Sequence, residues 1–127
     1  MKVLGIGVDV VETIRIERSL ERFAERFLRR VFTDEEIDYC QSMKHPSRHL
    51  AARFAAKEAV SKAFGTGIGE SMGWRDIEVR RKKSGEPFVI LHGRADELAH
   101  RLGVTEVMVS LSHADHYSVA NAAVIAG

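Results

Sequence analysis

Asp9 and Glu58 are two carboxylates whose surroundings in the chain ask for a chemical reason. Asp9 closes the run Gly5-Ile6-Gly7-Val8-Asp9. In an extended strand Gly5, Gly7 and Asp9 share one face, and Leu4, Ile6, Val8 and Val10 share the other. Glycine weakens a strand, so two on one face imply close approach of a ligand or of another backbone. Glu58 lies in Arg53-Phe54-Ala55-Ala56-Lys57-Glu58-Ala59-Val60-Ser61-Lys62. At about 100° per residue it falls among Leu50, Ala51, Phe54 and Ala55 on a helix. A carboxylate inside an apolar arc is costly unless it is paired or bound to a cation. Lys62, four residues on, offers an ordinary helical pair, and a bound cation is the alternative. Arg53 and Lys57 make a second i, i+4 pair on a different face, near Val60 and Phe64, where two cations suit phosphates.

Three further features bear on chemistry. Val109-Ser110-Leu111-Ser112-His113 puts a histidine at a strand end, as a base, a phosphate donor or a plain turn residue. Ser112 and His113 are adjacent on a strand and point to opposite faces, so they are not a Ser-His pair. No Gly-x-Ser-x-Gly elbow is present, which argues against serine hydrolysis. Arg15, Arg18, Arg22, Arg26, Arg29 and Arg30 fall within about 120° of one helical wheel. That ridge is either a solvated face tempered by Glu17, Glu21 and Glu25 or a docking face for an acidic partner. Gly65-Thr66-Gly67-Ile68-Gly69 follows a helix rather than a strand, which is not the context of a phosphate-binding glycine loop.

The elements that must position these residues follow from periodicity. Val3 to Val11 predicts a strand. Residues 14–30 predict one helix with an apolar stripe of Ile16, Leu20, Phe23 and Phe27. Thr33-Asp34-Glu35-Glu36 is a capping box that opens a helix to about Ser42. Ser47 is placed to cap a long helix reaching Phe64, with the glycine run as its stop. Ile77 to Val79 and Phe88 to Leu91 predict strands joined by a turn at Ser84-Gly85-Glu86-Pro87. Ala95 to Leu102 predicts a helix stopped by Gly103. Val107 to Leu111 and Tyr117 to Ile125 predict a closing hairpin. The sum is an α+β single domain over residues 1–127, a mostly antiparallel sheet packed with a long helix.

Composition limits the function classes. The 127 residues are 45% hydrophobic and 29% charged, which excludes a disordered or fibrous chain. A net charge of +1 means that any polyanion is met by a local patch. One cysteine, Cys40, excludes an intrachain disulfide and a thiolate metal cluster and is expected as half-buried packing. No apolar run approaches the roughly 18 residues of a membrane span, and Lys2 with Val3-Leu4-Gly5-Ile6 is too short for a signal peptide. The expectation is a soluble, cytoplasmic protein.

Gly5-Ile6-Gly7-Val8-Asp9-Val10-Val11-Glu12, Arg53-Phe54-Ala55-Ala56-Lys57-Glu58-Ala59 and Ser110-Leu111-Ser112-His113 resemble, in order and spacing, the three signature blocks of the holo-[acyl-carrier-protein] synthase family. These are the small, single-domain 4′-phosphopantetheinyl transferases. The resemblance runs from end to end, and the central block with its Gly-Thr-Gly-Ile-Gly loop is the most specific part. It implies transfer of phosphopantetheine from coenzyme A to a serine of apo acyl carrier protein, with release of adenosine 3′,5′-bisphosphate. It implies magnesium, with Asp9 and Glu58 as the metal carboxylates. It also implies a homotrimer with coenzyme A in clefts between subunits.

Under that resemblance Lys62 neutralises the pyrophosphate, and Arg53 and Lys57 meet another phosphate, such as the ribose 3′-phosphate across a subunit boundary. Lys44, His45 and the Gly85-Glu86-Pro87 turn are coenzyme candidates by family position. The serine proton goes to Glu58, to a metal-activated water or to His113, and the residues do not choose among these. Arg15, Arg22 and Arg26 lie at the centre of the ridge offered to the acidic carrier. One position departs from the family pattern: Ala114 follows His113, and the acidic residue comes later, as Asp115.

Two other classes share some of these features. A polyanion-binding module uses the arginine ridge, but it predicts interleaved aromatics and an overall basic charge, neither of which is present. No nucleic acid and no membrane partner is therefore expected. A magnesium-dependent nucleotide hydrolase uses Asp9 and Glu58 but has no need of an acidic protein partner.

Overall fold

One helix at the centre of the chain organises the rest. The computed structural model describes residues 1–127. Strand β1 (Lys2–Glu12) leads into helices α1 (Thr13–Phe23), α2 (Glu25–Val31), α3 (Asp34–Gln41) and α4 (Pro46–Ala63). A 3-10 turn at Trp74–Asp76 enters β2 (Ile77–Arg81) and β3 (Pro87–Leu91), followed by α5 (Gly93–Leu102), β4 (Val104–His113) and β5 (Tyr117–Ala126). All strand pairs are antiparallel, in a three-stranded sheet ordered β1-β5-β4 and a two-stranded sheet β2-β3. The α+β expectation holds, with α4 laid across the larger sheet.

Alanine has the highest helix propensity, and α4 carries six alanines along its length. Their small side chains let neighbours close in on all sides, so every residue from Leu50 to Lys57 is buried. The helix starts at Pro46, whose missing N–H is no loss in a first turn, with His45 as N-cap. Ser47 therefore lies inside the helix and does not cap it. Gly65, at φ 81°, stops the helix as expected.

The glycines of β1 serve this helix. A Cβ on Gly5 would stand 1.9 Å from the Ala63 carbonyl oxygen, and one on Gly7 would stand 1.9 Å from that of Ala59. Of the two expected reasons for these glycines, approach of another backbone is the one found. The apolar face of β1 is the uncovered one: Ile6 is 73% exposed, Val8 53% and Val10 58%. Met108 of β4, in register with Ala123 and Ile6, extends that open surface.

The single helix expected over residues 14–30 is two helices. Ala24 takes φ 44°, the only non-glycine residue with positive φ, and the chain turns there. The turn rotates α2 so that Leu28 and Val31 reach the core, while Phe23 stays 41% exposed. The capping box before α3 is formed: Thr33 Oγ1 accepts from the Glu36 N–H, and Glu36 accepts from the Thr33 N–H. Cys40 is fully buried rather than half-buried, and burial pushes its thiol up to about 11, which removes it as a nucleophile.

Candidate active site

Because α4 lies against the glycines of β1, its Glu58 and Lys62 meet Asp9. Lys62 Nζ is 3.1 Å from Asp9 Oδ1 and donates to the Val8 carbonyl at 3.2 Å. The expected Glu58–Lys62 pair is not formed; the lysine turns to Asp9, which β1 holds within reach. Glu58 is partly buried, and its side chain has neither a hydrogen bond nor a salt bridge. Burial first, then the negative charge of Asp9, hold its carboxyl above the usual 4.5, against the pull of Lys62 and Arg15. Two carboxylates close enough to repel each other, with a lysine paired to one of them, make an acidic site suited to a cation. No three His, Cys, Asp or Glu side chains converge anywhere in the chain. A site of two carboxylates fits magnesium, which keeps several waters and takes substrate phosphate oxygens.

A second cluster surrounds the other end of α4. The His113 ring lies edge-on to His49 with centroids 5.2 Å apart, and His49 lies edge-on to Tyr39 at 6.1 Å. The Arg53 guanidinium sits 4.4 Å above Tyr39. Arg53 is buried, makes no salt bridge, and its Nε has no partner. Burial and then the charges of His113, Arg53, Arg81 and Arg48 push the His49 pKa down. Lys44 and His45 stand exposed just before α4. Gly85, at φ 92°, forms the tip of the β2–β3 hairpin, where its carbonyl accepts from Arg81 at 2.6 Å, and Pro87 begins β3. Asp115 lies 3.0 Å from Arg48, so the departure after His113 works as a tie from the β4–β5 turn to α4. A cationic cluster of this kind suits phosphate.

The two clusters do not meet within one chain. Asp9 pairs with Ala120, whereas His113 pairs with Ser118, which pairs with Val11. His113 is thus two strands across and two residues along from Asp9, roughly 12 Å at ordinary strand spacings. His49 and Glu58 are nine residues apart on α4, roughly 13 Å along its axis.

Lys57 belongs to neither cluster, which corrects its expected role beside Arg53. Its side chain is wholly buried, with Nζ 2.7 Å from Glu36 Oε1 and 2.9 Å from the Trp74 carbonyl. Burial pushes its pKa down, and the Glu36 charge pushes back. With no exposed surface it offers nothing to a phosphate. Glu36, His49, Tyr39 and Arg48 were invisible to motif reasoning, because Glu36 read only as a cap and the others carry no spacing signal.

The arginine ridge is also remodelled by the turn at Ala24. Arg22 and Arg26 both lie over the Phe23 ring, at 5.1 and 5.7 Å, and Arg15 lies over Phe54 at 5.2 Å. A groove of about 530 Å³ runs between them, lined by Arg15, Phe23, Arg26, Arg30, Phe54 and Trp74.

A model of the 4′-phosphopantetheinyl transferase superfamily matches residues 5–122. The chain belongs to that superfamily. The holo-[acyl-carrier-protein] synthase of Moorella thermoacetica is 52% identical over 121 residues, covering 95% of this chain and 93% of that protein. A crystal structure of the synthase from Neisseria meningitidis superposes with a TM-score of 0.91 at 31% identity, covering 98% of this chain and 99% of that one. The Helicobacter pylori synthase, solved in complex with coenzyme A, gives a TM-score of 0.85 at 32% identity over 94% and 99% of the two chains. The family, the enzyme class and the α+β fold expected from the residues are all borne out.

The raised Glu58 carboxyl has a thermodynamic consequence. A carboxyl whose folded pKa exceeds its unfolded value stabilises the fold below the unfolded value, near 4.5, and loses that contribution as pH rises through the folded value. Glu58→Gln, uncharged throughout, should melt above the wild type at pH 7 to 8 in metal-free buffer. The gap should close as the pH falls below 4.5. Thermal melts across that range check it, and a constant gap would refute the electrostatic reading.

Proposed function

We propose that this protein transfers 4′-phosphopantetheine from coenzyme A to a serine of apo acyl carrier protein, with magnesium held by Asp9 and Glu58. The observation that carries the reading is the Asp9–Glu58 carboxylate pair with Lys62 at its edge, in a chain of this superfamily. The serine oxygen forms a new bond to the pantetheine-side phosphorus, and the bridging P–O bond breaks. Adenosine 3′,5′-bisphosphate leaves. Bound magnesium supplies polarisation of the phosphoryl group and stabilisation of the leaving phosphate. Lys62 adds a positive charge beside those oxygens. The serine proton goes to Glu58, to a metal-activated water or to His113.

The second cluster completes the site from a neighbouring subunit. Lys44, His45, Gly85, Pro87 and His113 receive the adenosine and its phosphates there, with the charge of the buried Arg53 behind them over Tyr39, and His113 reaches the reacting centre only across that boundary. The open apolar surface of Ile6, Val8, Val10 and Met108 supports an assembly, proposed as a homotrimer. The groove between α1 and α2 combines cations with aromatic rings, which suits an acidic carrier bearing apolar side chains. An activity on coenzyme A and carrier protein would serve fatty acid biosynthesis in the cytoplasm.

Mass spectrometry tests the reaction directly. Incubation with an apo carrier, coenzyme A and magnesium should add one phosphopantetheine, and Asp9→Asn should abolish the gain without unfolding the protein. Release of free nucleotide with an unmodified carrier would point to a hydrolase instead.

The shared site predicts complementation. Asp9→Asn and His113→Ala subunits, each poorly active alone, should regain a substantial fraction of activity after mixing and reassembly, because some interfaces then hold two intact halves. No recovery, or a monomer by sedimentation in an active preparation, contradicts the shared site.

The docking face predicts a separation of the two substrates. Exposed ion pairs contribute about 0.2–1 kcal/mol each and act chiefly on association. Arg22→Glu with Arg26→Glu should raise the KM for the carrier at least about fourfold at low salt, since each of the two reversals replaces an attraction by a repulsion. The KM for coenzyme A should stay within about twofold, since its phosphates are met elsewhere. Unchanged carrier kinetics would make the ridge a solvated face.

A further inference from the structure

The buried pair of Glu36 and Lys57 lies outside both clusters, yet Lys57 is the residue before Glu58 in the chain. Its Nζ donates to Glu36 Oε1, to the Trp74 carbonyl and to the Ile77 carbonyl, so all three ammonium protons are taken. Glu36 is equally committed. Its Oε1 also accepts from the Thr33 N–H at 2.9 Å, and its Oε2 accepts from the Val79 N–H at 2.9 Å. Three segments, the start of α3, the 74–79 stretch and the middle of α4, therefore meet at one point. Both side chains are wholly buried.

Several contacts hold α4: Leu50, Phe54 and Val60 are buried, and the Ala59 and Ala63 carbonyls seat on Gly5 and Gly7, but the Glu36–Lys57 contact is the buried charged one and lies one residue from Glu58. The helix is faced on most sides by alanine: Ala51, Ala52, Ala55, Ala56, Ala59 and Ala63 are all buried. Methyl groups pack closely but give few knobs to resist turning. Residues 57 and 58 differ by about 100° around the axis, so whatever fixes Lys57 fixes Glu58. A carboxylate roughly 6 Å from the axis moves roughly 2 Å for a 20° turn of the helix. Displacements of about 1 Å at a reacting group cost roughly 100-fold in rate.

We propose that Glu36 and Lys57 form a positioning pair that sets the rotation of α4 and so aims Glu58 and Lys62 at Asp9. The proposal rests on the reading of Asp9, Glu58 and Lys62 as the reacting cluster. Neither Glu36 nor Lys57 touches substrate. The pair acts through the helix.

The test compares the intact enzyme with Glu36→Asp, which retracts the carboxylate but keeps its charge, and with Glu36→Gln/Lys57→Met, which leaves no lone buried charge. Folding is followed by circular dichroism, Mn2+ affinity by calorimetry, and kcat and KM are measured well below each melting temperature. Both variants should fold. Each should lose about 10- to 100-fold in kcat, in line with misplacement of a reacting group. Each should bind Mn2+ several-fold more weakly, while the KM for coenzyme A changes less than about twofold, the pattern of a transition-state effect. Glu36→Gln and Lys57→Met singly should each match the double variant in kcat within about threefold, because groups acting as a unit are not additive.

Wild-type kcat and Mn2+ affinity in a folded Glu36→Asp or double variant would overturn the proposal. So would a raised KM for coenzyme A at constant kcat, which would return Lys57 to phosphate binding. A wild-type enzyme that neither binds Mn2+ nor transfers phosphopantetheine would instead overturn the reading of the reacting cluster on which the proposal stands.

Discussion

The distance between α4 and β1 sets everything else. A helix normally rests on a sheet with a layer of side chains between, but here the Ala59 and Ala63 carbonyls occupy the space that Gly5 and Gly7 leave open. The contact is nearly backbone to backbone. A single added methyl at either glycine would meet a carbonyl oxygen well inside van der Waals contact, so the helix would have to lift. Lifting it would draw Glu58 and Lys62 away from a strand residue, Asp9, that cannot follow. The acidic pair exists because two residues without side chains stand beside it.

Bringing so charged a helix into the core raises a second problem, solved differently for each charge. Lys57 is neutralised in full by Glu36 and two carbonyls, and removing one partner of such a pair typically costs about 3–5 kcal/mol. Arg53 is spread over the Tyr39 ring and retains a nitrogen without a partner. Glu58 is left half-desolvated beside a like charge, which raises its pKa. Lys62 is half exposed and leans back onto Asp9. The interior charge is structural, whereas the charges left incompletely answered are an anionic pair at one end and a guanidinium at the other. Those are the partners that a cation and a phosphate would complete.

Much of this was legible in the residues. Asp9 and Glu58 stood out because each violates a local rule, one carboxylate beside strand glycines and one inside an apolar arc. The hairpins, the long helix and the Thr33 capping box followed from periodicity and turn chemistry, whereas the cap of the long helix is His45 and not Ser47. Lys57 was misjudged because a helical wheel knows only its own helix, and the acid that claims Lys57 comes from α3. The break at Ala24 left no trace, since alanine is the last residue expected to end a helix; the demand of Leu28 and Val31 for the core overrides propensity there. Strand alternation separated the two faces of β1 correctly but gave no hint that the apolar one stays open, because the cover for the other face is a distant helix.

The uncovered face and the separation of the two clusters have one origin. With α4 committed to the glycine face of the sheet, its two ends carry the acidic pair and the cationic cluster apart. The same commitment leaves the opposite face, with Ile6, Val8 and Val10, without a layer of its own. A neighbouring copy that covers those side chains removes apolar surface from water at about 25 cal/mol per Å². In the proposed trimer each interface would also bring the acidic end of one subunit to the cationic end of the next, a heterologous contact repeated around a closed ring. The burial that holds such a ring together would then be what assembles the site, so activity and association would rest on the same surface.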